Sequence, residues 1–337
     1  MPEISVLMSV YNGEEFIAES INSILNQTFT DFELIIVDDG STDGTVDVVQ
    51  SFRDKRIRLF RFVENKGVGA ALKFSLSKAE GRYIAKADAD DINRLDRLEK
   101  QKTFLDRNPD IELVKGFIEY FPHDEPIRKS PKFKAKKILE KEKNRVVSPE
   151  DIWEKLYWYC CIPHTTIMCR SESMKAVGYD ELRICEDYKL FYHMNKKGYK
   201  MATIPEVLVH IRVIGTSITA STESRELLQQ VFEIKKEEIL RLFAKNEPVY
   251  IWGAGGMGRN FLQFIQEEGF QIAGFIDGDR QKQGDEILGV RVFPPELFAG
   301  KKEGCKLVVA SQPGRFEIVN HLKNLGYRHL EDFVVFF

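Results

Sequence analysis

Apolar positions along the first ninety residues alternate between two spacings. Ile4–Val10 is a largely apolar run of strand length; Phe16, Ile17, Ile21, Ile24 and Leu25 then recur at helical spacing across Glu14–Gln27. The rhythm repeats, with strands predicted at Glu33–Val37, Ile57–Phe62 and Tyr83–Ala87 and helices at Thr45–Phe52 and Val68–Lys78. Strands separated by helices imply right-handed crossovers and a parallel sheet. Ligands collect at the carboxyl ends of such strands. Tyr11-Asn12, Asp38–Ser41 and Asp88–Asp91 are therefore expected along one rim.

Downstream, the pattern predicts a charged helix over residues 93–107 and a strand at Leu113–Phe117. Arg128–Arg145 holds nine Lys or Arg against Glu140 and Glu142, a local charge of +7. That stretch reads either as a solvated surface insertion or as a contact for an anionic acceptor, lipid phosphates or RNA. A mixed region, Asp151–Thr219, leads to an amphipathic helix at about Glu223–Phe243, and the strand–helix rhythm restarts at Val249–Trp252. The expected division is a first domain over 1–220, a linker helix over 221–245 and a second α/β domain over 246–337.

Composition narrows the class without naming it. The 337 residues are 43% hydrophobic and 30% charged, enough for ordinary cores, and a net charge of -3 gives no sign of a dedicated nucleic-acid binder. The start lacks a secretory pattern, and no apolar run approaches membrane-spanning length, so the chain reads as cytoplasmic, with docking on the inner face of the membrane open. Five cysteines form neither a disulfide framework nor a C-x-x-C site and read as reduced thiols.

Ala87-Asp88-Ala89-Asp90-Asp91 places three acids just after an expected strand. Alternation along extended backbone would turn Asp88 and Asp90 to one side. A hard divalent ion, Mg²⁺ or Mn²⁺, suits such oxygen ligands and bridges carboxylates to substrate phosphates. The plain alternative is a capped loop entering a helix.

The wider set of motifs is more specific. Ser9-Val10-Tyr11-Asn12-Gly13-Glu14, Ser23-Ile24-Leu25-Asn26-Gln27-Thr28, Phe32–Thr45 with its Asp38-Asp39-Gly40-Ser41, Asn65-Lys66-Gly67 and Ala87–Asp91 resemble the family-2 glycosyltransferases in order and spacing, over roughly residues 3–220. The resemblance implies a GT-A nucleotide-diphospho-sugar transferase fold and an inverting, metal-dependent hexosyl transfer. By the same resemblance, Val10, Tyr11 and Asn12 would meet the nucleobase, Asp39 would accept a hydrogen bond from it and Glu14 would lie on the same rim. Gly67 would permit close approach near the donor, Asp88 would hold the ribose or the metal shell, and Asp90 would ligate the metal.

Inversion requires a base opposite the leaving diphosphate. Glu186-Asp187, preceded by Gly178-Tyr179-Asp180-Glu181, resembles the family's helix-starting acid pair. Asp187 is the implied base and Glu186 an orienting group on the acceptor side, although acids at a helix start also serve as caps. Ile162-Pro163-His164-Thr165-Thr166 resembles the family's His-Pro-Thr segment, with Thr165 in place of proline, and His164 either lines the acceptor side or packs. Val209–Ile218 resembles the closing segment, with Ile214 where many relatives carry histidine, which leaves Arg212 or nearby basic residues for the diphosphate.

In the second domain, Gly253-Ala254-Gly255-Gly256-Met257-Gly258 sits between an expected strand and a helix running through Gln266, and Asp277 ends the next strand. The pattern resembles small Rossmann-like domains attached to sugar-modifying enzymes. It marks Gly253, Gly255, Gly258 and Asp277 as a possible second nucleotide site, beside a purely structural or dimerising role. Ile251-Trp252-Gly253-Ala254-Gly255 with Gly258-Arg259, and Glu331-Asp332-Phe333, also resemble the C-terminal module of the animal queuosine-tRNA galactosyltransferases. The expected partners are therefore a UDP-sugar and a hydroxyl acceptor on a saccharide, a lipid-linked glycan or a modified tRNA, with homo-oligomerisation open. A catalytically inactive nucleotide-sugar-binding module is the alternative from another class.

Overall fold

The computed structural model describes residues 1–215, 224–244, 247–300, 304–312 and 314–337. The end of the closing segment, 216–218, residues 221–223 and 245 of the predicted linker helix and residue 246 of the predicted second domain therefore lie outside the described residues. The chain divides into two compact units: residues 1–156 with 160–221, and residues 157–159 with 222–337.

The first unit is built on strands β1 (Ile4–Val10), β2 (Phe32–Asp38), β3 (Ile57–Arg61), β4 (Tyr83–Lys86), β5 (Ile92–Asn93), β6 (Ile111–Pro122), β7 (Met168–Arg170) and β8 (Lys200–Val213). Its helices are α1 (Ile17–Leu25), α2 (Thr45–Ser51), α3 (Val68–Lys78), α4 (Arg97–Arg107), α5 (Glu125–Lys129), α6 (Pro131–Asn144), α7 (Pro149–Leu156), α8 (Ser171–Val177) and α9 (Glu186–Lys196). The eight strands form one sheet in the order β3-β2-β1-β4-β7-β6-β8-β5. β1 to β4 pair in parallel, as the strand–helix alternation predicts. The remainder departs from that expectation. β7 runs antiparallel to both β4 and β6, and β5 runs antiparallel to β8, so the sheet is mixed. The physical reason lies in the connections: α4 and the long 123–166 excursion are not crossover helices between neighbouring parallel strands, so nothing imposes one direction.

β1 and β2 are buried on both faces, which explains their nearly unbroken apolar runs. Ile4, Val6, Met8, Leu34 and Ile36 meet Ile17, Ile21 and Ile24 of α1 in the main core. Truncating any of these to alanine costs about 2–5 kcal/mol. β6 is longer than its apolar core segment predicts, because its distal half pairs with β8 through two irregularities of register.

The second unit comprises α10 (Ser224–Arg241), β9 (Val249–Trp252), α11 (Gly256–Glu267), β10 (Gly274–Ile276), β11 (Glu286–Ile287), β12 (Val290–Phe293), β13 (Lys306–Val309), α12 (Arg315–Asn324) and β14 (Phe333–Val335). Its strand order is β11-β12-β10-β9-β13-β14, parallel except for the β11–β12 hairpin. Phe232 of α10 packs on Phe261 and Phe264 of α11, with ring centroids 6.0 and 5.6 Å apart. The buried Lys235 ammonium donates to the carbonyls of Trp158 (2.9 Å), Val335 (3.0 Å) and Phe336 (2.8 Å). Nothing in the sequence pattern marks Tyr157–Tyr159 as part of this unit.

Candidate active site

The loops after β1, β2 and β3 are tied into one rim by backbone hydrogen bonds. Asn12 sits in the left-handed region at φ 50°, a conformation asparagine tolerates. Its N–H donates to Ser41 Oγ (2.8 Å) and its Oδ1 accepts from Thr42 N (2.9 Å). Glu14 Oε2 accepts from Gly44 N at 2.9 Å, so this carboxylate joins the two loops. Asp39 accepts from Lys66 N and Gly67 N, one on each oxygen, both at 2.8 Å. Gly67 has φ 94°, and an added Cβ would lie 3.0 Å from Arg183 Cγ, so any side chain there is strained and crowded. Val10 is buried beneath this rim, while Tyr11 is 48% exposed and presents its ring on the surface.

The acid cluster is a turn rather than extended chain. β4 ends at Lys86, and Asp91 N approaches Asp88 O at 3.5 Å, so strand alternation does not place Asp88 and Asp90. Contrary to the expected alternation, a turn held from behind by α1 groups these acids. Ser20 Oγ donates to Asp91 O (2.7 Å), Ser23 Oγ accepts from Asn93 N (3.1 Å), and Gln27 spans Arg94 O (2.7 Å) and Leu98 N (3.0 Å). Ser20 and Ser23 belong to one face of α1 and Gln27 follows its end, which accounts for the two serines in a helix otherwise packed with isoleucine.

Two buried cations lie under the turn. Lys86 donates to Ala87 O (2.8 Å) and to Asp88 Oδ1. Arg97 donates to Lys86 O (2.7 Å), Ile167 O (3.1 Å), Gln101 Oε1 (2.9 Å) and Asn93 Oδ1. Burial lowers the Arg97 guanidinium to about 9. Burial, and next the charge of Asp88, push the Asp90 carboxyl up to about 6. Asp91 is raised well above the usual range by the same two causes, although Arg212 N donates to its Oδ1 at 3.1 Å. The Asp90 carboxylate has no hydrogen-bond or ion-pair partner from another described residue.

Arg212 is not free for a diphosphate. Its guanidinium lies 4.8 Å from the Phe16 ring and 4.7 Å from the Phe121 ring, donates to Asp90 O at 3.1 Å and pairs with Glu19.

The base side is carried by the turn before β7 and by the start of α9. β7 pairs with β4, so His164–Thr166 comes beside the acid turn, and Lys86 N donates to Ile167 O at 3.2 Å. His164 Nε2 and Tyr179 Oη share a hydrogen bond of 2.7 Å, and His164 Nδ1 lies 3.9 Å from Glu186 Oε1. Burial, with Lys86 next, lowers the imidazole to about 4, leaving it neutral at pH 7. The strand pairing thus sets His164 beside the acid turn, and its contact with Glu186 sets it beside the start of α9, where Asp187 follows. Cys185 precedes α9 at φ 62°. Asp187 Oδ1 accepts from Tyr188 N (2.6 Å), and Cys160 Sγ lies 3.7 Å from Asp187 Oδ2. Burial first, and then Asp187, raise Glu186 to about 8.

The glycine turn of the second unit has a different character. Gly253 has φ 120°, and an added Cβ would meet Ala310 O at 2.5 Å; a Cβ on Gly258 would fall 1.9 Å from Gly253 O. These two glycines serve close packing, whereas a Cβ on Gly255 would meet nothing within 4 Å. Asp277 follows β10 and accepts from Ala254 N (2.8 Å) and Asp279 N (2.9 Å), with Lys282 Nζ at 3.4 Å. Its carboxylate closes the turn.

Comparison with known proteins assigns the family. The model of glycosyl transferase family 2 matches residues 5–172. An uncharacterized glycosyltransferase of Haemophilus influenzae is 32% identical over 243 residues, covering 71% of this chain and 73% of the relative. The chain belongs to glycosyl transferase family 2. Among further relatives of this glycosyltransferase, the UDP-Gal:alpha-D-GlcNAc-diphosphoundecaprenol beta-1,3-galactosyltransferase of Escherichia coli is 32% identical, covering 63% of this chain and 74% of the relative. The crystal structure of S. aureus TarS 1-349 in complex with UDP-GlcNAc superposes with a TM-score of 0.56 at 21% identity, covering 70% of this chain and 66% of that one, which establishes the GT-A fold. The PglD N-terminal domain model matches residues 248–310, so the glycosyltransferase carries an additional α/β domain.

Several residues that shape this glycosyltransferase's site escaped the sequence reading. Ser23 and Tyr179 lie within the quoted motifs and Ser20, Lys86 and Arg97 within predicted helices or a strand, yet their burial and partners depend on long-range pairing. A lysine ending an apolar strand and an arginine opening a helix were the available signals. Among the described residues no helix is long and apolar enough to cross a membrane.

Proposed function

We propose that the chain is an inverting glycosyltransferase moving a sugar from a nucleotide diphosphate donor, a UDP-sugar, to an acceptor hydroxyl in surface polysaccharide or glycoconjugate synthesis. The supporting observation is that His164, set beside the acid turn by the β4–β7 pairing, lies 3.9 Å from Glu186, the immediate neighbour of Asp187. A donor on one side and a base on the other is the arrangement that inversion needs.

The nucleobase would lie against Tyr11, Asn12 and Val10, with the Glu14 and Asp39 carboxylates fixing the loops that form its pocket. Gly67 keeps the chain low enough for the donor to enter. Asp187, oriented by Tyr188 N, accepts the proton of the acceptor hydroxyl as the new C–O bond forms and the nucleoside diphosphate departs. Glu186, raised to about 8, is largely protonated at neutral pH and adds no second negative charge beside Asp187. The neutral His164 ring lines the acceptor side.

Among the described residues no three acidic, histidine or cysteine side chains converge as a self-sufficient metal cage. A half-buried Asp90 with a raised pKa and no partner beside Asp88 nevertheless suits Mg²⁺ or Mn²⁺ whose remaining ligands are donor phosphate oxygens and water. Such an ion would stabilise negative charge on the leaving diphosphate. In the C-terminal domain, Gly255 and the start of α11 are the parts of the turn still open to a nucleotide, since Gly253, Gly258 and Asp277 hold the turn itself.

The test is UDP release from a panel of UDP-sugars with Mn²⁺. Release that disappears in Asp90→Ala and Asp187→Asn supports the assignment; full turnover in both variants overturns it.

A further inference from the structure

α6 carries Lys132, Lys136, Glu140 and Lys143 at spacings of four, four and three, which places them along one face. That face is turned to the protein. Glu140 Oε2 accepts from Tyr120 N at 2.6 Å, and Asn144 takes both Ile118 N (3.0 Å) and Ile118 O (2.8 Å). Side chains of α6 thus bond the backbone of distal β6, in the manner of a covered edge. The +7 segment is therefore a built part of the first unit and not a detached, solvated insertion.

The lysines on this inner face have unequal engagements. Lys132 Nζ donates to Ile214 O (2.7 Å) and Gly215 O (3.0 Å) and so holds the closing segment. Lys136 Nζ lies 5.4 Å above the Tyr120 ring. Lys143 is held through its backbone, with its carbonyl accepting from Lys115 Nζ at 3.2 Å. The ammonium groups of Lys136 and Lys143 have no hydrogen bond or ion pair among the described residues. The groups facing Lys143 are Cys160, Tyr120, Asp187 and Cys161, and together they hold it above the usual range despite burial. Burial and the neighbouring Lys143 and Lys132 lower Lys136. Two half-buried ammonium groups on one helix face, neither hydrogen-bonded nor ion-paired, can receive an anion.

The geometry points to the inner face of α6 as the binding site for a diphosphate that joins an acceptor sugar to its lipid carrier, with Lys136 and Lys143 as its counter-charges. This inference rests on the glycosyltransferase reading above, because Asp187 marks the acceptor side. The donor's own diphosphate belongs with Asp88 and Asp90. A lipid-linked diphosphate would reach Asp187 along the α6 face, and the sugar hydroxyl would then meet the base. The same chemistry could come from the nucleotide, so the experiment separates the two sources.

The probe is geranyl diphosphate, titrated calorimetrically into the full chain saturated with UDP, with geraniol and inorganic diphosphate in parallel. Geranyl diphosphate is expected to bind in the presence of UDP, with geraniol silent. Lys136→Gln with Lys143→Gln should weaken that binding tenfold or more. Lys134→Gln with Lys141→Gln, the same charge change on exposed positions, should shift it less than twofold. UDP affinity within threefold of wild type in the inner-face variant shows that the donor side and fold are intact. Competition by UDP, equal losses in both double variants, or no binding by wild type would each overturn the inference. These readouts do not involve turnover, so failure of Asp90→Ala and Asp187→Asn to stop UDP release would count against the catalytic reading alone.

Discussion

Two strand-to-loop junctions of this chain share a local design and differ in what surrounds them. In the first unit Asp39 follows β2 and accepts two backbone N–H groups; in the second Asp277 follows β10 and does the same. In both, a glycine at positive φ lies close by, at Gly67 and at Gly253. The first junction belongs to a unit that also groups Asp88, Asp90, Asp91, His164, Glu186 and Asp187, with several of their pKa values displaced by burial. At the second, the nearby charges are Asp279 and Lys282, and Lys282 pairs with both Asp279 and Asp277. A carboxylate closing a turn is a structural device in either place. Chemistry is indicated where charges remain uncompensated after the turn is closed.

The comparison breaks most directly at the catalytic end. Asp187→Asn should lower kcat by about 10²–10⁴-fold with little change in donor KM, the scale of a general base; a UDP-release assay at saturating donor checks it. No substitution at Asp277 should change kcat by more than about twofold.

Next in size are the packing glycines. Gly258→Ala brings a methyl to within 1.9 Å of Gly253 O, so the backbone must move, and a destabilisation of about 1–3 kcal/mol is expected for the second unit. Thermal melting followed alongside UDP release separates this from an effect on the site. Asp39→Asn leaves one of two N–H groups without its acceptor and should cost about 1–3 kcal/mol, with a higher donor KM, whereas Asp277→Asn should change melting alone.

A pH titration sharpens the contrast further. Glu186 is raised to about 8 in the folded chain, so between its ordinary value of 4.5 and about 8 the folded state binds more protons than the unfolded one. Stability should therefore fall as pH rises through that window, and the fall should flatten in Glu186→Gln. Urea midpoints from pH 5 to 8 measure it. The smallest effect belongs to Lys282→Gln, an exposed pair at the second junction, expected at about 1 kcal/mol or less in the melting of that unit.

The parallel half of the first sheet was legible because β1, β2 and β4 are buried on both faces and announce themselves as apolar runs. Val68–Lys78 and Ile4–Val10 match the predicted limits for this reason. The antiparallel β7 was not legible: three residues, Met168–Arg170, carry too little pattern to show direction or partner. Their pairing with β4 nevertheless brings His164 beside the acid turn. The grouping of Asp88 and Asp90 was expected from strand alternation, whereas a turn backed by Ser20, Ser23 and Gln27 produces it. Helix α6 was visible only as charge, since which lysines face inward depends on the bonds of Glu140 and Asn144 to β6.

By itself the sequence determined the family, the strand–helix rhythm and the residue types able to hold a nucleotide diphosphate, because these rest on local spacing and on motifs contiguous in the chain. Tertiary structure alone decided which charges are buried, which are paired and which are left open. A carboxylate's proton affinity and a lysine's freedom to bind are set by neighbours distant in the chain, as Arg212 is from Asp91, and no local pattern encodes those distances.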